Sequence, residues 1–429
     1  MSTVCLALAL SSPASAEPGL PAPVTDADFR PVDAALAEIG RDLFFDPILS
    51  GNRNISCATC HHPDHGTSDG LSLGIGEGGI GLGPSRHADP DNPPEQRIGR
   101  NSPALFNLGA GEFTRLFHDG RLEADPARPS GLRTPLEDEM VSGFDSALAA
   151  QTMFPVLSQD EMAGHYSENA VAQAVRQGLI TAQNGAWDLL AGRVREIDAY
   201  ASAFAAALPQ ISDGRALGFT DIANAIAAYV ETAFRADDSP FDRHLRGTVA
   251  LTGPALAGME LFYGEAGCAT CHAGPFQTDH AFHAVAMPQL GPGKAARFER
   301  HQRDTGRMRV TGKAEDAYRF RTPSLRNVAL TAPYGHAGAY GDLRDAVTHM
   351  ADPISALTAW KPAMAVLPPL ASGPEDFAVR ADAEEWAAIA VANEAPRVDL
   401  TEGEIDALVA FLHALTDESF RHRAPGFPA

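Results

Sequence analysis

The chain has 429 residues, of which 45% are hydrophobic and 21% are charged, and its formal net charge is −22. This length allows two domains with their own cores. The negative charge argues against nucleic acid or an anionic membrane as a partner. It favours solubility, the more common reason for such a charge, or a basic electron-donor protein steered electrostatically. No stretch approaches the roughly 18 apolar residues that a membrane span needs.

Residues 1–16 have the pattern of a secretory leader. A short apolar run ends in Ala14-Ser15-Ala16, a small-x-small cleavage signal, so we expect cleavage after Ala16. The basic residues that usually open such a leader are missing, which allows for a start codon further upstream. Cys5 lies within this leader, so only four of the five cysteines remain in the predicted mature chain.

Further along the chain, apolar residues recur at i, i+3, i+4 and i+7, which predicts helices. The predicted helices cover residues 32–44, 168–182, 187–208, 220–234, 254–263, 343–350 and 402–415. No run alternates in the manner of a strand, and residues 70–98 are rich in turn formers. We therefore predict a mainly α-helical protein with long irregular loops.

The motif Cys-Ala-Thr-Cys-His occurs twice, as Cys57, Cys60 and His61 and as Cys268, Cys271 and His272. Two thiols three residues apart lie on one face of a helical turn and can form thioethers to both vinyl groups of a haem, while the adjacent histidine reaches the iron. A redox dithiol or half of a zinc site is the alternative, but it needs only Cys-x-x-Cys. The motifs predict two covalently bound haem c groups. Because such haem is attached outside the cytoplasm, they also agree with the leader and predict a soluble periplasmic protein.

The two motifs indicate a coarse duplication of the chain. A predicted helix that ends in Leu43-Phe44-Phe45 precedes the first motif, and one that ends in Leu261-Phe262-Tyr263 precedes the second. Residues 237–253 are polar, with proline and glycine, which favours a domain boundary there. We predict a signal peptide over residues 1–16 and two cytochrome c-like haem domains over residues 17–240 and 241–429.

Four phrases in the chain resemble the bacterial di-haem cytochrome c peroxidases and the related MauG-type enzymes. They are GRDLFFD from Gly40, RNSPALFN from Arg100, FHDGR from Phe117, and RTPSLRN from Arg321 with its continuation to TAPY. The resemblance implies a peroxidatic N-terminal haem, an electron-transfer C-terminal haem and one Ca²⁺ between them.

The resemblance also implies an activity and partners. The expected reaction is reduction of hydrogen peroxide to water with electrons from a small redox protein, a cytochrome c or a cupredoxin. A MauG-like oxidase that modifies side chains of a partner protein is the alternative. A di-haem electron carrier without an open iron is the second alternative, and a homodimer is left open.

The resemblance assigns the pocket of the first haem to residues 148–162. Glu161 corresponds to the acid/base glutamate, and Gln151 and Pro155 shape the pocket. A carboxyl group beside a haem in an apolar pocket can have its pKa raised for proton transfer. A competing alignment ends at Glu139 but lacks Gln and Pro at the family spacing. Ser158 and Glu161 also form a capping-box pattern, so a purely structural role for Glu161 stays open.

For the second haem, the resemblance places the sixth iron ligand at Met350, where MauG-type enzymes tend to have tyrosine. The thioether of a methionine raises a haem potential. Met287, which precedes Pro288, is the rival ligand, and core filling is the ordinary role of either methionine. The resemblance gives the calcium ligands as the Asn101 side chain and the backbone carbonyls of Thr331 and Pro333, all of them oxygen donors.

The chain departs from the family at three places. Glu77 stands where many peroxidases have a histidine that blocks the first haem, so we expect His61 alone to ligate that iron unless His65 or His87 folds back. His118 replaces a tryptophan between the haems and is the expected, poorer, electron relay. Residues 121–147 are an insertion for which the family offers no interpretation.

Overall fold

The computed structural model describes residues 19–294, 299, 301–371, 373 and 375–421. The predicted leader and Cys5 lie outside the described residues. The α-helices are α1 (Ala34–Phe45), α2 (Cys57–Cys60), α3 (Ala147–Thr152), α4 (Ala170–Arg176), α5 (Ala186–Arg195), α6 (Asp198–Ala207), α7 (Pro209–Ser212), α8 (Phe219–Ala233), α9 (Pro240–Leu245), α10 (Gly253–Tyr263), α11 (Met308–Thr311), α12 (Leu343–Ala351), α13 (Pro353–Ala359), α14 (Ala378–Ala381), α15 (Ala383–Val391), α16 (Glu402–Ala414) and α17 (Glu418–Arg421).

Three small antiparallel sheets accompany the helices. Their strands are β1 (Gly79–Ile80) with β2 (His87–Ala88), β3 (Arg115–Leu116) with β4 (Leu122–Ala124) and β5 (Leu132–Arg133), and β6 (Phe282–His283) with β7 (Phe320–Arg321). The expectation of a mainly helical chain is confirmed. Strands of two or three residues are too short to show the alternation that was sought in the sequence.

Two predicted helices are shorter than their apolar pattern. The helix predicted over residues 168–182 ends at Arg176, and Gly178 then adopts a left-handed conformation with φ +73°. The helix predicted over residues 187–208 divides into α5 and α6, because Ile197 is extended between them. Asp198 then starts α6 with a negative charge in its first turn, which is favourable at a helix N-terminus.

Each half of the chain contains a pair of helices that cross at a glycine. In the N-terminal half, a Cβ atom on Gly40 of α1 would lie 1.7 Å from the carbonyl oxygen of Ala225 in α8. In the C-terminal half, a Cβ on Gly258 of α10 would lie 1.8 Å from the carbonyl oxygen of Ala407 in α16. Only glycine permits backbones to approach this closely, so these two residues set the packing of both helix pairs.

The hydrophobic core is divided along the chain. The largest cluster of buried side chains draws on residues 24–236 together with Phe276, Leu330 and Phe420, and a second cluster draws on residues 241–415. The segment predicted as a domain boundary, residues 237–253, includes regular structure. It contains α9, in which Phe241 is fully buried and Asp242 forms a 2.6 Å ion pair with Arg326.

Candidate haem sites

The first Cys-x-x-Cys-His motif forms one helical turn, and His61 directly follows α2. The Nδ1 atom of His61 lies 3.0 Å from the Thr67 carbonyl oxygen and 3.3 Å from Ser102 Oγ. Because a carbonyl oxygen can only accept, Nδ1 carries the proton and Nε2 keeps its lone pair. That tautomer is the one that can bind iron through Nε2, with the backbone fixing the ring.

The second motif repeats this arrangement in a 3₁₀ turn over Cys268–Thr270. His272 Nδ1 lies 3.0 Å from the Gln277 carbonyl oxygen. Thr67 and Gln277 both have a left-handed backbone, with φ of +58° and +49°. Burial lowers the pKa of both histidines, so both rings are neutral and available as ligands at neutral pH.

The four thiols of the motifs are unpaired, and their environment is unsuited to thiolate chemistry. Burial raises the thiol pKa to about 12 for Cys57 and Cys60 and to about 11 for Cys268, and it also raises that of Cys271. Redox-active and metal-binding thiols normally have a lowered pKa. Each motif thus presents two buried, protonated thiols beside a neutral histidine, the set of groups that thioether attachment of haem uses.

The residues predicted for the pocket of the first haem come from three consecutive elements. Gln151 lies in α3, Pro155 begins a 3₁₀ turn, and Glu161 lies in a π-helical turn over Gln159–Ala163. The Oε1 atom of Gln151 is buried with no hydrogen-bond partner among the described residues. An unpaired buried acceptor of this kind fits a pocket in which a bound molecule supplies the missing hydrogen-bond donor.

Glu161 is half-buried, and burial raises the pKa of its carboxyl group. The charges of Lys294 and Arg121 oppose that increase, and the Glu161 carboxylate in turn contributes to the raised pKa of Cys60. The rival Glu139 is exposed in a 3₁₀ turn. Glu161, and not Glu139, therefore has the environment of a proton-transfer group beside the first haem motif.

Lys294 is a residue that the sequence analysis missed. It belongs to the C-terminal half yet lies close enough to Glu161 and Arg121 for their charges to affect its pKa, which burial lowers to about 8. Gly293 precedes it, and a Cβ atom added to this glycine would lie 2.1 Å from the Gln302 carbonyl oxygen. The only sequence signal was an isolated lysine in a glycine-rich segment.

The loop that carries Glu77 is packed against the turn that carries Glu161. A Cβ on Gly76 would lie 2.2 Å from the Asp160 carbonyl oxygen and 2.7 Å from Glu161 Cα, and the Glu77 amide donates to Asp160 O at 3.0 Å. Arg86 donates to the carbonyls of Ile75, Gly76 and Gly81. The loop is therefore held both by the turn that carries Glu161 and by the Arg86 side chain.

The Glu77 side chain is fully buried and turned toward two asparagines. Its Oε1 accepts hydrogen bonds from Asn54 Nδ2 at 2.8 Å and from Asn52 Nδ2 at 3.1 Å. His87 is exposed within β2, and the ring of His65 lies against the glycine at position 83. Of the two histidines considered as alternative ligands, His65 therefore packs against its own loop and His87 is open to solvent.

The two methionines considered for the second haem differ in their surroundings. Met350 lies in α12 with 38% of its surface exposed. Met287 is half-buried and packs with a small apolar cluster that includes Tyr340 and Trp360. Beside Met350, His349 is fully buried, with Nδ1 2.9 Å from the Tyr340 hydroxyl and Nε2 2.8 Å from the Val285 carbonyl oxygen.

His118 lies in a polar cluster between the two halves. Burial and the neighbouring Arg100 lower the pKa of His118 to about 3, so its ring is neutral, and its Nε2 lies 3.1 Å from the Asn101 carbonyl oxygen. Arg100 forms a bidentate ion pair with Asp304 at 2.7 and 2.8 Å and a second pair with Asp119 at 2.7 Å. Charge pairs of this kind tie the N-terminal and C-terminal halves together around the imidazole.

His336, a further residue missed from sequence, belongs to the same cluster. Its ring stacks on Phe320 with centroids 3.7 Å apart, and both of its nitrogens are buried without a hydrogen-bond partner among the described residues. Its carbonyl oxygen accepts from the Asn101 amide at 2.9 Å. It follows the Thr-Ala-Pro-Tyr phrase by two residues, which was the only sequence signal.

The residues predicted for calcium present free oxygen atoms. Asn101 Nδ2 donates to the Leu71 carbonyl at 2.8 Å, which leaves Oδ1 for another partner. No described backbone amide donates to the carbonyls of Thr331 or Pro333. A hard cation prefers such oxygen donors, so the donor set fits calcium.

Comparison with known proteins agrees with this geometry. The family model for di-haem cytochrome c peroxidase matches residues 34–250. The chain belongs to the di-haem cytochrome c peroxidase family. It is 31% identical over 337 residues to cytochrome c551 peroxidase of Pseudomonas aeruginosa, covering 77% of this chain and 76% of that protein. Membership implies two haem c groups and an oxidoreductase.

Two MauG-type proteins match a larger share of this chain than the Pseudomonas peroxidase does. The methylamine utilization protein MauG of Paracoccus denitrificans is 29% identical over 420 residues, covering 94% of this chain and 93% of that protein. A solved MauG-like protein associated with microbial copper homeostasis superposes with a TM-score of 0.60 at 26% identity, covering 96% and 97% of the two chains. The family thus includes both peroxidases and MauG-type proteins. Among the described residues, no helix is long and apolar enough to cross a membrane.

Proposed function

We propose that this protein is a periplasmic di-haem peroxidase that reduces hydrogen peroxide to two water molecules with two electrons from a small redox protein. The observation that carries the proposal is the position of Glu161, a half-buried carboxyl group of raised pKa beside the first haem motif. A haem held by Cys57, Cys60 and His61 would supply the electrons and the iron at which the peroxide bond is cleaved. The chain itself supplies the proton transfers.

In this proposal the Glu161 carboxylate takes a proton from one peroxide oxygen and returns it to the departing oxygen, which leaves as the first water. The second water forms from the remaining oxygen with two electrons from the donor protein and two protons from solvent. The raised pKa holds the group near the pH at which it can both accept and donate. The unpaired Gln151 Oε1 accepts a hydrogen bond from the peroxide, and Pro155 shapes the wall beside it. Lys294 and Arg121 keep a fraction of Glu161 ionised.

The C-terminal half is proposed to receive the electrons. Cys268, Cys271 and His272 would hold the second haem, with Met350 as the sixth ligand and His118 as the relay toward the first haem. Because the His118 imidazole is buried and neutral, it adds no fixed charge to the path between the two haem motifs. A calcium ion held by Asn101, Thr331 and Pro333 would fix the junction, since Asn101 also binds His118 through its carbonyl oxygen.

The MauG-like oxidase is the second candidate, and a specific observation favours it. The MauG-type relatives match nearly the whole chain, and Glu77 is buried against two asparagines at the position of the blocking histidine. Methionine at position 350 favours the peroxidase.

The test is peroxide consumption by the fully oxidised holoprotein, mixed with a reduced c-type cytochrome or cupredoxin. The peroxidase is expected to oxidise two donor molecules per peroxide without prior reduction of the enzyme. Peroxide consumption that requires a partner protein and changes the mass of that partner would instead establish the oxidase. A holoprotein that does not react with peroxide would instead support the third hypothesis, a di-haem electron carrier.

A further inference from the structure

A polar cleft of about 780 Å³ lies between the sheet β3–β5, of which β4 and β5 belong to the insertion, and the C-terminal half of the chain. Six cationic side chains and four carboxylates line it. Part of the cleft is built by residues 121–147, the insertion that the family resemblance left without an interpretation. On the C-terminal side its wall includes residues of β6 and α11.

The floor of the cleft has more cationic groups than acidic ones. Glu123 is shared by Arg307 at 3.1 Å to both carboxylate oxygens, by Arg133 at 2.8 Å and by Arg115 at 3.6 Å. One carboxylate can compensate only one of the three positive charges, and three guanidinium groups have more N–H donors than its oxygens can accept. The Arg115 and Arg133 side chains are 47% and 34% exposed, so the unused donors are accessible.

The rim carries three cationic and three acidic side chains and adds no net charge. Its two arginines are balanced by acids: Arg128 pairs with Glu137 at 2.7 Å, Asp138 at 2.9 Å and Asp125 at 3.6 Å, and Arg319 pairs with Glu394 at 2.7 Å and Asp316 at 4.0 Å. Lys313 is exposed, and no described residue lies within ion-pair distance of its ammonium group. The excess charge is therefore concentrated at the floor and at Lys313, in a chain whose net charge is −22.

The cleft adjoins the route between the two haem motifs. Arg307 lies over the Phe282 ring at 4.3 Å and donates to the Gly120 carbonyl at 2.8 Å, two residues from His118. The residue after Phe282, His283, has a ring nitrogen within 4.8 Å of the Cys271 sulfur. A protein bound in this cleft is thus close to a cysteine that attaches the second haem and to the predicted relay.

We propose that this cleft is the docking site for an acidic segment of the redox partner protein, an inference that rests on the proposed function. Carboxylates of the partner bind the free N–H groups of Arg115 and Arg133 and pair with Lys313. The expectation from overall composition was a basic partner, but the local charge at this surface selects the opposite sign.

The experiment measures the binding of a fluorescently labelled hexaglutamate peptide to the holoprotein by anisotropy at low ionic strength. We expect binding that weakens with added salt, since surface charge pairs are screened. The double variant Arg115→Glu/Arg133→Glu is expected to bind about tenfold more weakly, because two charge pairs with the peptide are lost.

Arg41→Glu is the matched control. The Arg41 side chain is 50% exposed and is also ion-paired, with Glu38 at 2.8 Å, but it lies in α1 away from the cleft lining. Affinity is expected to be unchanged in this variant. Should charge reversal at the cleft prevent haem incorporation, Arg115→Gln/Arg133→Gln serves instead and is expected to weaken binding in the same direction.

Four outcomes overturn the inference. They are no binding to the wild type, equal binding by the cleft and control variants, competition by free glutamate or inorganic phosphate as strong as by the peptide, and self-association in ultracentrifugation that the cleft variants abolish. The third outcome indicates a small-anion site, and the fourth indicates a second copy of this chain. Peroxide consumption by the wild type with a small artificial donor tests the proposed function separately, so the two failures are distinguishable.

Discussion

In the N-terminal half, His61 is oriented by the Thr67 carbonyl, and in the C-terminal half His272 is oriented by the Gln277 carbonyl, at the same 3.0 Å. Both halves pair a helix before the haem motif with a later helix through a glycine contact. The difference lies in the groups gathered beyond the haem motif. Around the first motif lie a carboxyl group and an unpaired amide oxygen of the N-terminal half together with a lysine supplied by the C-terminal half, whereas the second motif is accompanied by a methionine beside a buried histidine.

Under the proposed function, one attachment unit serves two tasks. Both need an acceptor that fixes the histidine tautomer, and here a backbone carbonyl supplies it in each half. Proton transfer needs additional titratable groups, and electron transfer does not. The following predictions test that division, from the largest expected effect to the smallest.

Removal of the thiols of one motif should separate the two halves. We expect Cys57→Ala/Cys60→Ala to lower the haem content from two to one and to abolish peroxide consumption. Cys268→Ala/Cys271→Ala should also leave one haem but should mainly abolish electron uptake from the donor protein. Pyridine haemochrome assay with intact mass gives the haem count. A purified protein with bound zinc and no haem would refute both assignments.

Glu161→Gln should slow peroxide consumption by roughly 10²–10⁴, the usual contribution of a positioned acid/base group. Haem spectra should be preserved, because the substitution retains the size of the side chain. Glu139→Gln, at the exposed rival position, is the control and should have no effect. Stopped-flow mixing with peroxide provides the rate, and equal rates for Glu161→Gln and the wild type would exclude the proposed role.

The two glycine contacts should be equally intolerant of a methyl group. Gly40→Ala and Gly258→Ala should each lower the free energy of unfolding by about 1–3 kcal/mol, because the added Cβ overlaps a carbonyl oxygen of the partner helix. Gly403→Ala, in a helix with nothing within 4 Å of its Cβ position, should change stability by less than about 1 kcal/mol. Denaturant unfolding monitored by circular dichroism measures all three.

Met350→His should lower the potential of the second haem, because imidazole favours reduced iron less than a thioether does. A redox titration together with the far-red thioether-to-iron band of the oxidised protein measures this. Met287→Ala is the comparison and should retain the band. If Met287→Ala loses the band while Met350→Ala keeps it, the ligand is Met287.

Lys294→Met should move the pH dependence of peroxide consumption. Glu161 must be ionised to accept a proton, so activity is lost as the pH falls through its raised pKa. Removal of the Lys294 charge raises that pKa further, and the acid limb should shift to higher pH. Lys361→Met, at an exposed lysine, should leave the profile in place. A profile that stays the same in Lys294→Met would mean that the charge does not act on Glu161.

The sequence alone determined the cofactor chemistry and the helical class. Cys-x-x-Cys-His is a local pattern whose chemistry depends on spacing within one turn, and amphipathic spacing likewise depends on near neighbours along the chain. The family phrases then placed Gln151, Pro155 and Glu161, and the structure gives Glu161 the half-buried environment that such a role needs.

Tertiary structure decided the features that depend on residues distant in sequence. Lys294 approaches Glu161 from 133 positions away along the chain, and three arginines from different segments share Glu123. The short strands β4 and β5 of the insertion form because they pair with each other and β4 pairs with β3, not because either has a strand pattern. Net charge is a sum over the whole chain, so it could not show that the floor of one cleft is positive. The sign of a surface depends on which side chains the fold brings together.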